Sequence, residues 1–395
     1  MQASRSATRH LLRHATRPTS GFVCSSCLSR RSSSTSASPR PPPPPPPNAG
    51  FTALKSRRLI SVSGPDAAKY LQGVVTANII NNNNNKTGFY TAFLNAQGRV
   101  LHDVFIYPDA SKDGGGFLIE VDATEAERLT RHIKRYKLRA KLNLRLLDDG
   151  EATVWQVWDD SKTDFSFSVG MTAPLRDPRS PKLGYRILTS GDHAQTPQLD
   201  LDQTPETSYR IRRYLQGVAE GQAEILREHA LPAESNMDVT GAIDFRKGCY
   251  VGQELTIRTR HRGVVRKRIL PCVLYDQSEA PERLEYKHDG PVTAEAVPPE
   301  TSIGRAAKKG RSTGKWLSGV GNIGLALCRL EIMTDLTLPG EPAATPAATL
   351  ESGNDEFVLT PKTEEEGGSG GSSFKVKAFV PDWLRQGLAL QTAGH

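Results

Sequence analysis

The sequence predicts an α+β chain that ends in a small all-β domain, and three observations predict it. Between residues 51 and 219 short alternating apolar runs are interleaved with segments that carry helix-start signals. From about residue 264 onward the pattern becomes short strands cut by Pro and Gly. No run of ~18 uncharged apolar residues occurs, so no segment should span a bilayer. With 395 residues, 37% of them hydrophobic, the chain is too apolar for wholesale disorder and long enough for two or three domains.

The first 65 residues hold ten Lys or Arg and no acid, so the net charge of +8 is mostly an N-terminal matter. Arg5, Arg9, Arg13 and Arg17 recur every fourth residue around Leu11 and Leu12, in a Ser-rich stretch without an apolar core. That is the composition of a mitochondrial transit peptide; the alternative is a disordered basic tail for nucleic acid or membrane. Pro41 to Pro47 read as a stiff polyproline spacer, so residues 1–50 form a leader ahead of a body that begins near Phe51. Cys24 and Cys27 fall inside that leader and have no second pair to complete a zinc site. Cys249, Cys272 and Cys328 remain, and so sparse a set argues for free thiols.

Leu59–Ser63 alternates like a strand, and Ser63 with Asp66 resembles a capping box for a helix that Gly73 would end. The Asn81–Asn85 run reads as an exposed loop. Tyr90–Leu94 and Val100–Tyr107 form a hairpin about the Asn95–Gly98 turn, followed by a strand at Phe117–Val121. Thr124 with Glu127 caps a second helix, whose Leu129, Ile133 and Tyr136 share a face. Its Arg128, Arg131, Lys134, Arg135, Lys137 and Arg139 are either a solvated face or a contact for an acidic partner. Residues 151–169 and 183–190 read as strands, 207–219 as a helix, and 276–300, 307–316 and 339–373 as loops in the C-terminal part.

The densest chemistry lies in Asp244–Gly263. From Arg246 to Arg268 there are eight Lys or Arg and one Glu, with Cys249 between two glycines near the start. Neighbouring cations favour a thiolate, the form that binds metal or attacks electrophiles. Glu254–Arg260 alternates as a strand with Arg258 and Arg260 on one face, so the thiol is expected on a loop entering a basic hairpin. The alternative is a small buried cysteine beside a solvated edge strand. No metal set and no Cys-His pair can be read, although His261 lies twelve residues on.

Lys247-Gly-Cys-Tyr-Val-Gly-Gln-Glu254 resembles the K-G-C-Y-x-G-Q-E signature of the YgfZ/GcvT-like family, in particular its mitochondrial Iba57/Caf17 branch. Tyr70-Leu-Gln-Gly-Val-Val-Thr-Ala-Asn78 is similar to the family's F-L-Q-G-L-L-T-N-D. Phe93-Leu-Asn-Ala-Gln-Gly-Arg-Val-Leu-His-Asp103 is similar to its F-L-N-x-x-G-R-x-x-x-D. Leu183–Arg186, Tyr209–Gly221 and Gly321–Leu330 extend the likeness to residues 52–335. The resemblance implies a T-protein-like folate-binding fold of three subdomains around a central hole, the last a small β-barrel. The divisions are then 51–263 for the folate-binding-type domain and 264–395 for the barrel domain with long loops.

The same resemblance implies a matrix iron–sulfur cluster assembly factor acting late, in maturation of [4Fe-4S] proteins of the aconitase and radical-SAM type. Tetrahydrofolate and a transient cluster shared with A-type scaffold proteins are the implied cofactors. Nucleic-acid and membrane partners are not expected. Cys249 matches the signature cysteine and would be the shared cluster ligand. Lys247, Gly248, Tyr250, Gly252, Gln253, Glu254, Arg258 and Arg260 would surround it. Asp103 falls near the T-protein's catalytic aspartate, with His102 where those enzymes carry a second acid. Their pterin-binding glutamate falls at Leu215. Asn236 and Asp238 lie in a P-x-E-x-N-x-D-like stretch and would either line the pocket or cap a loop. The competing function is a folate-dependent one-carbon transferase using Asp103, and whether the chain is an enzyme stays open.

Overall fold

Three antiparallel sheets carry the chain in a computed structural model. It describes residues 41–393, apart from 81–86, 110–114, 163–164, 166–173, 191–195, 277–278, 291, 307–310, 339–355 and 360–372. The basic leader with its CxxC pair, the asparagine run and most of 339–373 lie outside the described residues. The first sheet contains β2 (Arg57–Ser63), β3 (Phe89–Leu94), β4 (Val100–Pro108), β5 (Gly116–Asp122) and β6 (Asn143–Leu146), in the order β3-β4-β5-β2-β6. The second contains β1 (Ala49–Ala53), β7 (Ala152–Asp159), β8 (Leu175–Arg176) and β9 (Tyr185–Ser190), in the order β1-β7-β9-β8.

Side-chain alternation decides what each face of the first sheet meets. Val104, Ile106, Ile119 and Val121 pack with Leu71 of α1 (Ala67–Val74) and with Leu129 and Ile133 of α2 (Ala126–Tyr136). Phe105, Tyr107 and Leu118 point the other way into the central core, and Asp103 and Glu120, both fully buried, alternate with the helix-facing set. Leu71, Leu129 and Ile133 are wholly buried, so truncating any of them should cost about 2–5 kcal/mol.

The C-terminal sheet closes into a six-stranded barrel. It comprises β10 (Lys267–Tyr275), β11 (Ser302–Arg305), β12 (Gly314–Val320), β13 (Ile323–Arg329), β14 (Phe357–Leu359) and β15 (Phe374–Ala378), ordered β10-β13-β12-β11-β14-β15. Leu270, Cys272, Trp316, Ala326 and Cys328 fill its interior, so two of the three free thiols among the described residues are core groups. Burial pushes the Cys272 thiol up, and its Sγ lies 3.9 Å from that of Cys328.

Several expectations need correction. Neither capping box forms: Asp66 and Glu125 hold the cap positions without a side-chain cap bond. Asp66 instead accepts a hydrogen bond from the Lys141 amide at 2.7 Å, and Thr124 donates to Asp122 at 2.7 Å. α3 (Glu206–Leu215) stops short of residue 219 because the chain turns at Gly217, whose φ is +67°. β7 ends at Asp159, which accepts hydrogen bonds from Ser161 in a tight turn. The run of prolines is tied to the body, since Trp158 donates to the Pro47 carbonyl and Tyr286 to that of Pro43. β14 lies inside the stretch expected to be loop, and the last part of the chain is not all β. A short α5 (Leu330–Met333) follows β13, and α6 (Asp382–Ala393) packs Leu384 against the barrel.

Candidate functional site

All three sequence motifs meet at Cys249. The Lys247 ammonium donates to the carbonyls of Gln72, Val75 and Ala77, each at 2.7 Å, and so closes the C-terminal end of α1. The Val251 amide donates to the Gly73 carbonyl, and the Asp244 amide to that of Thr76. The second contact is backbone against backbone. Gly252 has φ +81°, and a Cβ there would stand 2.4 Å from the Asn95 carbonyl oxygen and 3.1 Å from Cα of Gly98. Only glycine permits both that conformation and that approach. The cysteine loop therefore rests on the β3–β4 turn on one side and on α1 on the other. Gly248 has open space about its Cβ position and no such requirement.

The basic segment after the loop is a helix, not a hairpin strand: α4 spans Gln253–Arg262. Gly252 begins it in the left-handed conformation, and Tyr250 and Gln253 exchange bonds, the Tyr250 amide to Gln253 Oε1 and the Gln253 amide to the Tyr250 carbonyl. Glu254 lies in the first turn, and Arg260, His261 and Arg262 in the last, as the helix dipole favours. The alternation of Leu255, Thr256 and Ile257 misleads because α4 lies on the surface and buries only Thr256, so no 3.6-residue apolar stripe exists to be read.

Helical geometry splits the two expected partners, since residues two apart do not share a helix face. Arg258 lines an open groove of about 790 Å³ with Cys249, Lys247, Gly248, Gln253, Glu254, His261 and Arg262. Arg260 instead stacks on Phe245, its guanidinium 5.2 Å from the ring centroid, and borders a separate apolar cavity. Cys249 itself is exposed. Tyr250 is buried beneath the loop, which pushes its hydroxyl up to about 12. Burial lowers the Lys247 ammonium to about 8, partly offset by Asp244, and the protonated form still prevails at pH 7. Among the described residues no three His, Cys, Asp or Glu side chains form a metal-holding set. The groove offers one soft ligand, two arginines and a helix N-terminus, which together suit an anionic, thiophilic cargo whose other ligands come from elsewhere.

The remaining expected site residues are not in this groove. Asn236 and Asp238 are held by Arg268, whose guanidinium bonds Asn236 Oδ1 at 3.1 Å and both Asp238 oxygens at 2.8 and 2.9 Å. With Asn236 donating to the Ile269 carbonyl, the stretch fastens the first barrel strand, while Asp238 also lines the apolar cavity that Arg260 borders. Asp103 is wholly buried in the central core, accepting from the Gly221 amide and Gln222, with Arg57 at 3.6 Å. Burial raises its carboxyl, partly offset by Arg57. His102 is also wholly buried, and burial lowers it to about 3, so it stays neutral.

Around Asp103 lies a network that the sequence reading did not single out. Glu220 accepts from Arg179 at 2.7 Å, from Arg186 and from Tyr209 at 2.8 Å; Arg186 also pairs with Glu120. Arg57 bonds Glu120 at 2.8 Å, and Arg213 pairs with Glu224 at 2.7 Å. Burial opposes ionisation of Glu220, but Arg186, Arg179 and Arg213 hold its carboxyl well below the usual range. Arg186 and Glu220 lie at the ends of two motif-like stretches, Leu183–Arg186 and Tyr209–Gly221, which is the only sequence signal for them. Tetrahydrofolate is the group this type of fold implies at its centre. These residues do not fit it: their charges are matched to one another, and Arg57, Asp103, Glu120, Arg186 and Glu220 are all buried.

Fold and site together define an aminomethyltransferase-type α+β scaffold with a buried network of paired charges and, among the described residues, one exposed thiol. The glycine cleavage system aminomethyltransferase T from Bartonella henselae matches it with a TM-score of 0.57 at 11% identity, covering 86% of this chain and 87% of that one. A family model described as the CAF17 C-terminal β-barrel domain matches residues 266–386. An "iron-sulfur cluster assembly factor IBA57 homolog, mitochondrial" from Pyricularia oryzae is 90% identical over 395 residues, the whole of both chains. A protein of the same name from Neurospora crassa is 50% identical over 95% of this chain and 90% of that one. The chain belongs to the mitochondrial IBA57 family of iron–sulfur cluster assembly factors.

Proposed function

We propose that the chain acts in the mitochondrial matrix, late in the maturation of [4Fe-4S] proteins, and that Cys249 supplies one thiolate to a cluster in transit. The exposure of this thiol beside the N-terminus of a cationic helix carries the reading. An iron–sulfur unit is anionic and takes soft ligands. One cysteine cannot hold it, so the other ligands must come from a thiolate-bearing partner, for which an A-type scaffold is the proposed candidate, with aconitase-type apo-enzymes as recipients. Lys247, Gly252 and Gln253 fix the loop, while Arg258 and Arg262 face the cargo. Tetrahydrofolate rests on the fold likeness alone, and no step is assigned to it. The one-carbon transferase reading has less support, because Asp103 is sealed and already bonded.

The test is Cys249→Ser in cells lacking the native protein. Aconitase activity should fall to the level of the null strain while [2Fe-2S] enzymes persist and the variant accumulates normally. Normal aconitase in those cells would remove the ligand role.

A further inference from the structure

The C-terminal tip of α2 presents two large apolar side chains to solvent inside a field of positive charge. Leu138 is 84% exposed and Tyr136 is 51% exposed. Leu138 also adopts φ +47°, a left-handed conformation that leucine rarely takes and that carries strain without any packing in return. Lys134, Arg135, Arg139 and Lys141 are exposed around it and make no ion pair among the described residues. Arg135 lies 5.6 Å from the Tyr136 ring centroid, and Lys137 donates to the Leu142 carbonyl. The facing acids are few. Glu125 and Glu127 pair with Arg128 and Arg131 further up the helix, and Asp66 accepts from the Lys141 amide.

We propose that this tip is a contact for an anionic phospholipid surface. Apolar side chains at the end of a helix, ringed by unpaired cations, match an interface whose outer layer is anionic and whose next layer is hydrocarbon. A protein partner would need an interface of roughly 800 Å² on each side with a packed apolar centre, and two side chains do not supply that centre. The expectation of no membrane partner rested on the lack of a spanning segment. No helix among the described residues is long and apolar enough to cross a membrane, which leaves a surface contact open.

Position makes the contact compatible with the thiol. The tip is fastened at Asp66, at the start of α1, through the Lys141 amide and carbonyl. The cysteine loop is fastened at Gly73 to Ala77, at its end. The eight residues of α1 separate the two by about 12 Å. The thiol is thus anchored at the opposite end of α1 from the tip.

The experiment is co-sedimentation of the full-length chain with phosphatidylcholine vesicles, with and without about 30% phosphatidylglycerol. Wild type and Tyr136→Ser/Leu138→Asn carry the same basic leader, so the difference between them reports the tip. The double variant should bind the anionic vesicles roughly five- to ten-fold less, and its alkylation at Cys249 should be unchanged. Leu138→Asn alone should melt no lower than wild type, because Asn tolerates the left-handed region; this separates loss of a contact from loss of fold. Equal vesicle binding by the two proteins overturns the proposal. So does a cross-linker at position 138 that captures an acidic protein while vesicle binding is unaffected by the substitutions.

Discussion

Two groups of arginines divide this chain between them, and their surroundings differ in every respect that matters. In the centre, Arg57, Arg179, Arg186 and Arg213 are buried, and each meets a carboxylate. On the rim, Arg258 and Arg262 stand in an open groove beside an exposed thiol. Buried and matched, charge fixes how the first two sheets and α3 sit against one another, and little of it is left for a ligand. Open and unmatched, the same side chain stabilises little and remains available to an anion. In a scaffold of the aminomethyltransferase type, the comparison puts matched charge in the middle and unmatched charge beside Cys249.

The largest expected effect comes from breaking the centre. Glu220→Gln would take from Arg179 and Arg186 the carboxylate they share, leaving Asp177 to the first and chiefly Glu120 to the second in a site closed to water. Removing one partner from such a network costs about 3–5 kcal/mol. Denaturant melts should show that loss, with little soluble protein at 37 °C. A variant within 1 kcal/mol of wild type would mean that water reaches the network and that the centre is more open than its burial implies.

A smaller effect is expected where the two regions are joined. Lys247→Met strands three carbonyls at the end of α1, at a cost of about 1–3 kcal/mol. Arg should not restore it, because a planar fork cannot replace a compact ammonium that donates in three directions. Gly252→Ala should act in the same sense through its positive φ and its contact with the Asn95 carbonyl. Both variants should lose aconitase maturation in proportion to the disorder of the loop, which faster alkylation of Cys249 would report. Full maturation in either would separate the loop's geometry from its function.

How much of this was legible beforehand follows the same division. The hairpin at Tyr90–Tyr107, the buried Leu129 and Ile133 of α2 and much of the barrel's strand pattern are periodic, and periodicity survives in a single sequence. Tyr136, expected on the same face, is exposed at the end of the helix. The loop at Cys249 was legible through its motif and glycines. α4 was misread because a surface helix has no buried stripe to betray it. α6 did leave a signal, since Pro381 and Asp382 precede Leu384 and Leu388 at helical spacing, but the all-β reading of that region hid it. The central network left almost none, because partners such as Arg57 and Glu120, or Arg186 and Glu220, are far apart in sequence and only the fold makes them neighbours.

His102 gives a milder test, through pH. It lies beside Asp103 yet takes no part in the ion pairs of the centre, and burial holds it near 3. In the unfolded chain it titrates near 6.5. Between those values the unfolded state binds the extra proton. Stability is therefore full above about pH 6.5 and declines on acidification, by up to about 1.4 kcal/mol per pH unit. His132, half-buried on α2, is lowered by burial as well and adds to the slope. Melts of wild type and His102→Gln between pH 6.5 and 5 should differ in slope, before the carboxylates of the centre begin to titrate in the unfolded chain. Parallel curves would mean that His102 is hydrated in the folded state.

The smallest effect on stability should come from the rim, and there function should respond instead. Arg258→Gln with Arg262→Gln removes two charges that meet no carboxylate among the described residues, so the melting temperature should not move. Arg258 and Arg262 stand beside Cys249 in one groove, where an anionic cluster or an acidic docking face would pass. Long-range attraction of that kind acts on the association rate and is screened by salt. The double variant should transfer a cluster several-fold more slowly at low ionic strength and approach wild type at high salt, with Cys249 reactivity intact. An equal deficit at every salt concentration would assign the arginines to direct contacts with the partner, and no deficit would leave the thiol as the groove's only working group.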